Sequence, residues 1–311
     1  KKPDKTLDDP IAIVGSGPAG ITIAFVLAMK GYKVTIFESK DNIGGVLQYG
    51  IPEFRLPKDI LNTIYKRLIE LGVSIRFNTL VGPVITIDKL FFDGYKAVFL
   101  GTGVWNAKML NIKGESLGNV HFAINYLRTP KVYELGRKVC VIGAGNVAMD
   151  AARTAKFYGA DEVYIMYRKG FEDMSATKAE IKETIEDGIK FELFKSPLEL
   201  FDNGLQYIKT EKVVSEEGKV STVNIEGTEN FFECNSVIIA VGQTPRNNIV
   251  ANNKGFETDH RGLLVVDESG HTSRNGVFAS GDVVTGSRTV VEAVNYAKIV
   301  EIGRASCRER V

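Results

Sequence analysis

Histidine and cysteine are scarce in this sequence, which narrows the chemistry it can perform. Its 311 residues include three histidines and three cysteines. Cys140, Cys234 and Cys307 stand far apart, which excludes a CxxC redox pair and a set of four thiolates for an iron–sulfur cluster. Cys140 and Cys234 lie in apolar, strand-like runs, so we expect them to be small core residues.

Long apolar runs and an excess of charge of one sign are also missing. No run approaches the roughly 18 residues of a membrane-spanning helix, and the Lys-rich start has no apolar signal region behind it. The formal net charge is +1, so nothing electrostatic favours nucleic acid or a membrane as partner. With 44% hydrophobic and 25% charged residues, the composition indicates a globular, cytoplasmic protein long enough for two domains.

What the sequence does have is a glycine pattern near its start. Residues 11–14 form an apolar run typical of a buried parallel strand, residues 15–20 match GxGxxG, and residues 21–29 are expected to be a helix. In such a turn the first glycine makes the bend, the second lets backbone amides approach a pyrophosphate, and the third lets the helix pack on its strand. The phosphates then lie at the positive end of the helix.

A second predicted strand, residues 33–37, ends at Glu38, about twenty residues after the first glycine. A carboxylate there can accept hydrogen bonds from both ribose hydroxyls of an adenosine. The alternative is a glycine-rich turn in an unrelated α/β domain, which leaves Glu38 unexplained. The combined pattern therefore predicts dinucleotide binding.

Paired glycines follow this second strand. Because Gly44 and Gly45 carry no Cβ, backbone amides there can face a phosphate or a flavin ring. Arg55 is predicted to be a phosphate or flavin partner, with a solvated surface arginine as the alternative. Pro57 is expected only to open a helix over residues 58–71.

The next segments predict more of the first sheet. Residues 72–78 and 97–100 are expected to be parallel strands, and the second ends in the small-residue turn 101–103. Such turns lie at the carboxyl ends of strands in a doubly wound sheet, where ligands bind. Residues 104–136 are expected to be a crossover with a helix at 120–128, in which the only histidine serves packing.

The opening pattern then occurs a second time. Residues 137–142 are a predicted strand, residues 143–148 match GxGxxA and enter a helix, and residues 162–167 are the next strand. This strand ends in Arg168 and Lys169 and not in an acid. Two cations suit a 2′-phosphate, which a carboxylate would repel, so the second nucleotide is predicted to be NADP(H). A solvated basic turn is the alternative.

The remaining segments are predicted to complete both folds. Residues 175–234 are expected to carry little site chemistry, with an exposed helix at 179–188 and antiparallel strands at 191–225. Residues 237–245 supply a strand and another small-residue turn. Asp282 follows a strand and a glycine, where its carboxylate can accept a ribityl hydroxyl while the helix 289–300 begins.

Taken together, these motifs resemble one group of flavoproteins. The two glycine turns, residues 44–46 and 50–57, Tyr167-Arg-Lys169, and residues 241–245 and 281–286 carry the similarity, which runs from about residue 9 to residue 300. The group has two dinucleotide-binding domains. It includes the glutamate synthase small subunit, the NADPH/FAD portion of dihydropyrimidine dehydrogenase and the larger subunit of NADH-dependent ferredoxin:NADP oxidoreductase.

The resemblance implies an α/β architecture of two Rossmann-like dinucleotide-binding domains, the second inserted into the first. Residues 1–106 and 245–300 would bind FAD and residues 107–244 would bind NADPH, whereas residues 301–311 break the helical pattern and are predicted to be a tail outside the fold. The residues expected to bind FAD are Gly15, Gly17, Pro18, Ala19, Glu38, Gly45, Val46, Leu47, Arg55, Val81, Gly103, Gly281, Asp282 and Val290. Those expected to bind NADP are Gly143, Ala144, Gly145, Asn146, Val147, Arg168, Lys169, Ala240, Val241 and Gly242.

Two departures from the group bear on function. Family members usually have Pro or Arg where this chain has Ser175, which would weaken the hold on the 2′-phosphate. The group also normally carries an N-terminal helical domain with cysteine-bound iron–sulfur clusters, whereas this sequence begins just before the first glycine turn. The expectation is that the clusters were cut away with that domain or lie on another polypeptide.

The function implied by the resemblance is an NADPH-dependent FAD oxidoreductase, like the glutamate synthase small subunit. It would take a hydride from NADPH and pass electrons to iron–sulfur clusters of a partner, with glutamate synthase large subunit or ferredoxin as candidates. Hydride transfer between stacked rings in a dry site needs no protein acid or base, so no catalytic side chain and no metal site are predicted. The alternatives are a ferredoxin:NADP oxidoreductase subunit or diaphorase and, from another class, a non-catalytic nucleotide-bound assembly subunit.

Overall fold

The structure is a computed structural model that describes residues 7–215, 218, 220–300 and 302. The chain divides into two compact units. The first contains the described residues of Lys1–Tyr49, Glu53–Asn106 and Gln243–Val311, and the second contains Gly50–Pro52 and Ala107–Gly242. Along the chain, the second unit thus lies between two long stretches of the first.

The elements are numbered in chain order. The strands are β1 (Pro10–Val14), β2 (Lys33–Phe37), β3 (Ser74–Arg76), β4 (Ala97–Leu100), β5 (Asn106–Ala107), β6 (Val120–Phe122), β7 (Lys138–Ile142), β8 (Glu162–Tyr167), β9 (Lys190–Leu193), β10 (Lys195–Phe201), β11 (Gly204–Val214), β12 (Val220–Asn224), β13 (Asn230–Glu233), β14 (Ser236–Ile239), β15 (Gln243–Thr244) and β16 (Val277–Ala279). The helices are α1 (Pro18–Met29), α2 (Val46–Tyr49), α3 (Asp59–Glu70), α4 (Ile87–Phe92), α5 (Ala123–Tyr126), α6 (Asn146–Phe157), α7 (Lys178–Glu186), α8 (Asn248–Asn252), α9 (Asp282–Thr285) and α10 (Val290–Ile299), with single 3₁₀ turns at Pro130–Val132 and Phe171–Asp173.

A five-stranded parallel sheet forms the centre of the first unit, in the order β16-β4-β1-β2-β3. The central strand β1 is apolar on both faces because layers of side chains cover both. Ile11 and Ile13 pack in one core cluster with Leu27 of α1, whereas Ala12 packs in a second cluster with Leu90 of α4.

The second unit has its own five-stranded parallel sheet, in the order β6-β14-β7-β8-β9. Val141 of β7 faces α6, and Cys140 faces an antiparallel layer formed by β10 to β13. Cys140 and Cys234 are buried in this core, as predicted, while Cys307 lies outside the described residues. None of the helices in the described ranges is long and apolar enough to cross a membrane.

The helix predicted over residues 120–128 is wrong in its first part. Val120–Phe122 is strand β6, which pairs in parallel with β14, and the helix is limited to the single turn Ala123–Tyr126. Pairing with a distant strand overrides the local helical pattern, and Pro130 excludes the helical region for the residue before it. His121 packs edge-on against Tyr133, with ring centroids 5.0 Å apart, which is the packing role expected.

The predicted antiparallel region at 191–225 begins later than expected. Strand β9 (Lys190–Leu193) pairs in parallel with β8 and forms the edge of the second main sheet. It follows α7, so β8, α7 and β9 form a crossover unit that returns the chain parallel to itself. The antiparallel pairing begins with β10. In the predicted tail 301–311, only Ile302 is described, and it is buried in the core of the first unit.

Candidate functional site

The first glycine turn is fixed by close backbone contacts. Gly15 has a φ of +95°, and a Cβ there would lie 2.6 Å from the carbonyl oxygen of Gly101. A Cβ on Gly20 would lie 1.9 Å from the oxygen of Gly15, so α1 packs directly on the turn. Any side chain at either position would overlap backbone, which is why both positions require glycine.

The amino end of α1 is open. The N-cap residue is Gly17 and Pro18 follows it. The first turn contains no acid, and no side chain of the described residues caps the helix. Only the oxygen of Gly101, at 3.9 Å, would approach a Cβ on Gly17. The N–H groups at this end therefore lack a side-chain acceptor, and the helix dipole favours an anion there.

Glu38 closes the turn from the end of β2. Its carboxylate is 5% exposed and accepts hydrogen bonds from the amide and hydroxyl of Ser16, at 2.8 and 2.5 Å. The Lys40 amide at 2.9 Å and the Ser39 hydroxyl at 3.2 Å donate to its other oxygen. Sequence reasoning missed Ser16, although its place between the first two glycines of the pattern put a hydroxyl beside the turn.

The paired glycines Gly44 and Gly45 lie against the first glycine turn. A Cβ on Gly45, whose φ is +56°, would lie 2.9 Å from Cα of Gly17. The amide of Gly44 donates to the oxygen of Ser16 at 2.8 Å. The short helix α2 starts here with Val46 and Leu47, and the carbonyl of Leu47 accepts the ammonium of Lys58 at 2.6 Å.

Gly281 brings a third segment to α1. Its φ is +78°, and a Cβ there would lie 3.0 Å from Cβ of Ala19. Asp282 follows at the start of α9, and its carboxylate accepts the amide of Arg288 at 3.3 Å. Burial raises the pKa of Asp282 to about 6. A carboxyl group with a raised pKa thus follows directly on the glycine that packs against α1.

The remaining residues predicted to bind FAD lie in the same unit. Gly103, with a φ of +67°, follows β4 and lies beside the indole of Trp105. Val81 is buried in the core cluster that includes Phe37, Arg55 is half-buried between α2 and α3, and Val290 is the first residue of α10. Close contacts therefore join the segments at 15–19, 38, 44–47 and 281–282.

The second glycine turn repeats these features in the second unit. A Cβ on Gly143, whose φ is +142°, would lie 2.3 Å from the oxygen of Ala240. The amide of Ala240 donates to the oxygen of Ile142 at 2.8 Å, so residues 240–242 leave β14 beside the turn. Gly145 is the N-cap of α6, again with no side-chain cap and no acid in the first turn.

A loop after β8 covers this second turn. The amide of Ala176 donates to the oxygen of Ala144 at 3.1 Å, and the amide of Thr177 donates to the side chain of Asn146 at 3.1 Å. The hydroxyl of Ser175 lies 3.2 Å from the place where a Cβ on Gly145 would stand. Ser175, which the sequence marked as a departure, is therefore a neighbour of the glycine turn.

Arg168 and Lys169 lie at the start of this loop. Arg168 is exposed and Lys169 half-buried, and neither forms an ion pair with any carboxylate of the described chain. Strand β11 contacts the loop: the Thr210 hydroxyl donates to the carbonyl of Arg168 at 2.7 Å. The expectation of little site chemistry in residues 175–234 missed this contact, whose only signal is the alternation of polar side chains along β11.

A known protein family includes both glycine turns of this chain within the region it matches. The chain matches the model of the pyridine nucleotide-disulphide oxidoreductase family over residues 9–297. It belongs to this family. Membership confirms the predicted class of enzyme, an oxidoreductase, and the use of a pyridine nucleotide.

Curated relatives of this family member include two that are named as parts of larger enzymes. The chain is 38% identical over 299 residues to the NADP(+)-dependent formate dehydrogenase subunit beta of Moorella thermoacetica, covering 91% of this chain and 42% of the relative. It is 32% identical over 309 residues to the glutamate synthase [NADPH] small chain of Escherichia coli, covering 91% and 65%. The chain thus spans about half the length of these relatives, and the predicted resemblance is confirmed.

Solved structures share the fold. FprA from Mycobacterium tuberculosis in complex with NADPH aligns with a TM-score of 0.80 at 18% identity, covering 97% of this chain and 85% of that one. Thioredoxin reductase from T. acidophilum aligns with a TM-score of 0.71 at 21% identity, covering 97% and 98%. The predicted class, α/β with Rossmann-like domains, is confirmed.

Proposed function

We propose that this chain is the NADPH- and FAD-binding portion of an oxidoreductase that passes electrons to iron–sulfur clusters of a partner subunit or further domain. The observation that carries the proposal is the pair of glycine turns, each opening a helix without a side-chain cap at the carboxyl edge of its own parallel sheet. One turn is followed by a buried acid and the other by two cations. Such a pair suits two different adenine dinucleotides.

The first unit fits FAD. The approach of Gly45 to Gly17 leaves backbone amides without side chains around the open end of α1, which suits a pyrophosphate. Glu38 would accept the adenosine ribose hydroxyls, which compete with the Ser16 hydroxyl for the same carboxylate oxygen. Asp282 would face the ribityl chain, while Arg55, Val81, Gly103 and Val290 are proposed to complete the binding site.

The second unit fits NADPH. Residues 144–147 would hold the pyrophosphate at the open end of α6, and residues 240–242 would lie beside the nicotinamide half. Arg168 and Lys169 would bind the 2′-phosphate. Their freedom from ion pairs with the described carboxylates leaves both charges available for a phosphate.

When bound, the two cofactors would supply the donor and the acceptor of a hydride, and the side chains of this chain would hold them without exchanging protons. The described residues contain no group of three or more His, Cys, Asp and Glu side chains that could hold a metal ion. The clusters that receive the electrons are therefore proposed to belong to a partner, since two relatives are named as a subunit and a small chain. A cytoplasmic location is proposed with it.

Anaerobic titration with NADPH tests the proposal. The FAD-loaded protein should lose its flavin absorbance near 450 nm at about one equivalent of NADPH, since a hydride carries the two electrons that reduce one flavin. A variant with Arg168→Gln and Lys169→Gln should need far more NADPH for the same bleaching, yet should respond to NADH as the wild type does. Flavin that stays oxidised in excess NADPH would contradict the proposal and leave a non-catalytic assembly subunit as the explanation.

The acceptor is tested separately. Wild-type protein that reduces an added iron–sulfur partner faster than it reduces oxygen supports the proposed electron transfer. Rapid consumption of NADPH coupled to oxygen, with no gain on adding the partner, would instead indicate a simple diaphorase.

A further inference from the structure

We propose that Lys212, on strand β11 of the antiparallel layer, is a positioning residue that sets the preference of the second unit for NADP(H) over NAD(H). The inference rests on the proposed function, because it concerns the 2′-phosphate of the nucleotide bound there. Lys212 itself does not belong to the predicted binding residues. It acts through two carboxylates in the loop that begins with Arg168 and Lys169.

The ammonium of Lys212 bridges two acids in that loop. Its Nζ lies 2.7 Å from Oε1 of Glu172 and 2.7 Å from Oδ2 of Asp173. The ammonium of Lys212 holds the pKa of both carboxyls below the ordinary range, so both carry their charge at neutral pH. Two negative charges thus stand within four residues of Lys169, and one lysine compensates both.

Without Lys212, these two carboxylates would weaken the binding of a phosphate. Asp173 already feels the positive charge of Lys169, so an unbridged Asp173 would compete with the phosphate for that ammonium. Glu172 would add repulsion toward the same anion. Because a phosphate monoester carries about two charges at neutral pH, it responds more strongly to such a change than a ribose hydroxyl does.

The same strand also holds the backbone of the loop. The Thr210 hydroxyl, on a residue only 4% exposed, donates to the carbonyl of Arg168 at 2.7 Å. Thr210 and Lys212 are two residues apart and therefore lie on one face of β11. The strand thus contacts the loop at Arg168 and again at Glu172 and Asp173. Lys169 lies between these contacts.

The test compares nucleotide affinities of the oxidised, FAD-loaded protein by isothermal titration calorimetry. Lys212→Met should weaken NADP⁺ binding by about fivefold and leave NAD⁺ binding unchanged within about twofold, since one partly exposed charge is worth about 1 kcal/mol. Lys209→Met is the matched control: it removes the same charge from an exposed residue on the opposite face of β11. It should leave both affinities unchanged.

A charge rescue separates compensation from a merely structural role. In the triple variant Lys212→Met, Glu172→Gln, Asp173→Asn, NADP⁺ affinity should return to within about twofold of wild type, because the uncompensated charges are gone. In the double variant Glu172→Gln, Asp173→Asn, Lys212 is freed and NADP⁺ should bind several-fold more tightly than to wild type. The double variant keeps the test valid should Lys212→Met fail to fold.

Three outcomes would overturn the inference: unchanged NADP⁺ affinity in Lys212→Met, equal losses for NADP⁺ and NAD⁺, or a double variant that binds NADP⁺ no better than wild type. Each of these leaves the proposed function standing, provided that the wild type prefers NADP⁺. A wild type without that preference would contradict the assignment of NADPH itself, and this inference with it.

Discussion

Gly45 and Gly94 both have positive φ angles, +56° and +95°, but their surroundings differ. A Cβ on Gly45 would lie 2.9 Å from Cα of Gly17, whereas a Cβ on Gly94 would have no atom within 4 Å. The sequence predicted that residues 44–45 need freedom from side chains. It could not predict that the opposing atom would belong to the first glycine turn, because that contact depends on how two distant turns pack.

This pair of glycines allows a matched test of the FAD site. Gly45→Ala should separate the two turns and abolish retention of FAD on gel filtration, because the added Cβ would overlap backbone atoms and neither backbone can move without displacing its turn. Gly94→Ala should cost only the strain of a positive φ, about 1 kcal/mol, and keep its flavin. Equal flavin content in both variants would contradict the assignment of residues 45–47 to FAD.

Asp282 makes the stability of the cofactor-free protein depend on pH. Burial raises its pKa from 3.8 to about 6, so between these values the folded chain keeps a proton that the unfolded chain has released. Stability should therefore fall as pH rises from about 4 to about 6, by at most about 3 kcal/mol, since one pKa unit corresponds to about 1.4 kcal/mol. The measurement is the difference in Tm between wild type and Asp282→Asn across that range.

The control for this titration has the opposite sign. The hydrogen bond and charge of Lys33 lower the pKa of Asp8, so wild type should gain stability over Asp8→Asn above pH 4 and lose that gain as pH falls further. A Tm difference for Asp282→Asn that is flat from pH 4 to 7 would contradict the raised pKa of the Asp282 carboxyl.

At the level of elements, prediction succeeded where local backbone geometry decides the structure. The two strand–glycine–helix units, with α1 at Pro18–Met29 and α6 at Asn146–Phe157, follow from motifs that are contiguous in the sequence. Strand β6 was missed because its three residues are held by β14, much later in the chain. Strand β9 was misassigned because alternation indicates a strand but not the direction of its partner.

The contact between the antiparallel layer and the nucleotide-binding loop is the part of the site that the sequence predicts least well. Alternation predicted its strands, yet the contact of β11 with the loop at 168–173 depends on which face of the strand meets that loop. Thr210 and Lys212 face it, whereas Lys209 does not share their face. No motif marks such a residue, because its role comes from the acids it meets.

At the scale of the whole molecule, each unit carries a parallel sheet and a glycine turn that opens a helix without a side-chain cap. We therefore expect the two nucleotides to protect different stretches of backbone from hydrogen exchange. With FAD bound throughout, NADP⁺ should slow exchange at residues 143–149 and 168–177, whose amides surround the second turn. It should also slow exchange in β11, because that strand holds the loop through Thr210 and Lys212. Residues 15–20 should keep the exchange rates of the NADP⁺-free protein.

Protection by NADP⁺ at residues 15–20, with none at 143–149, would reverse the assignment of the two cofactors. Protection of the loop without β11 would keep the assignment and remove the strand from the nucleotide site.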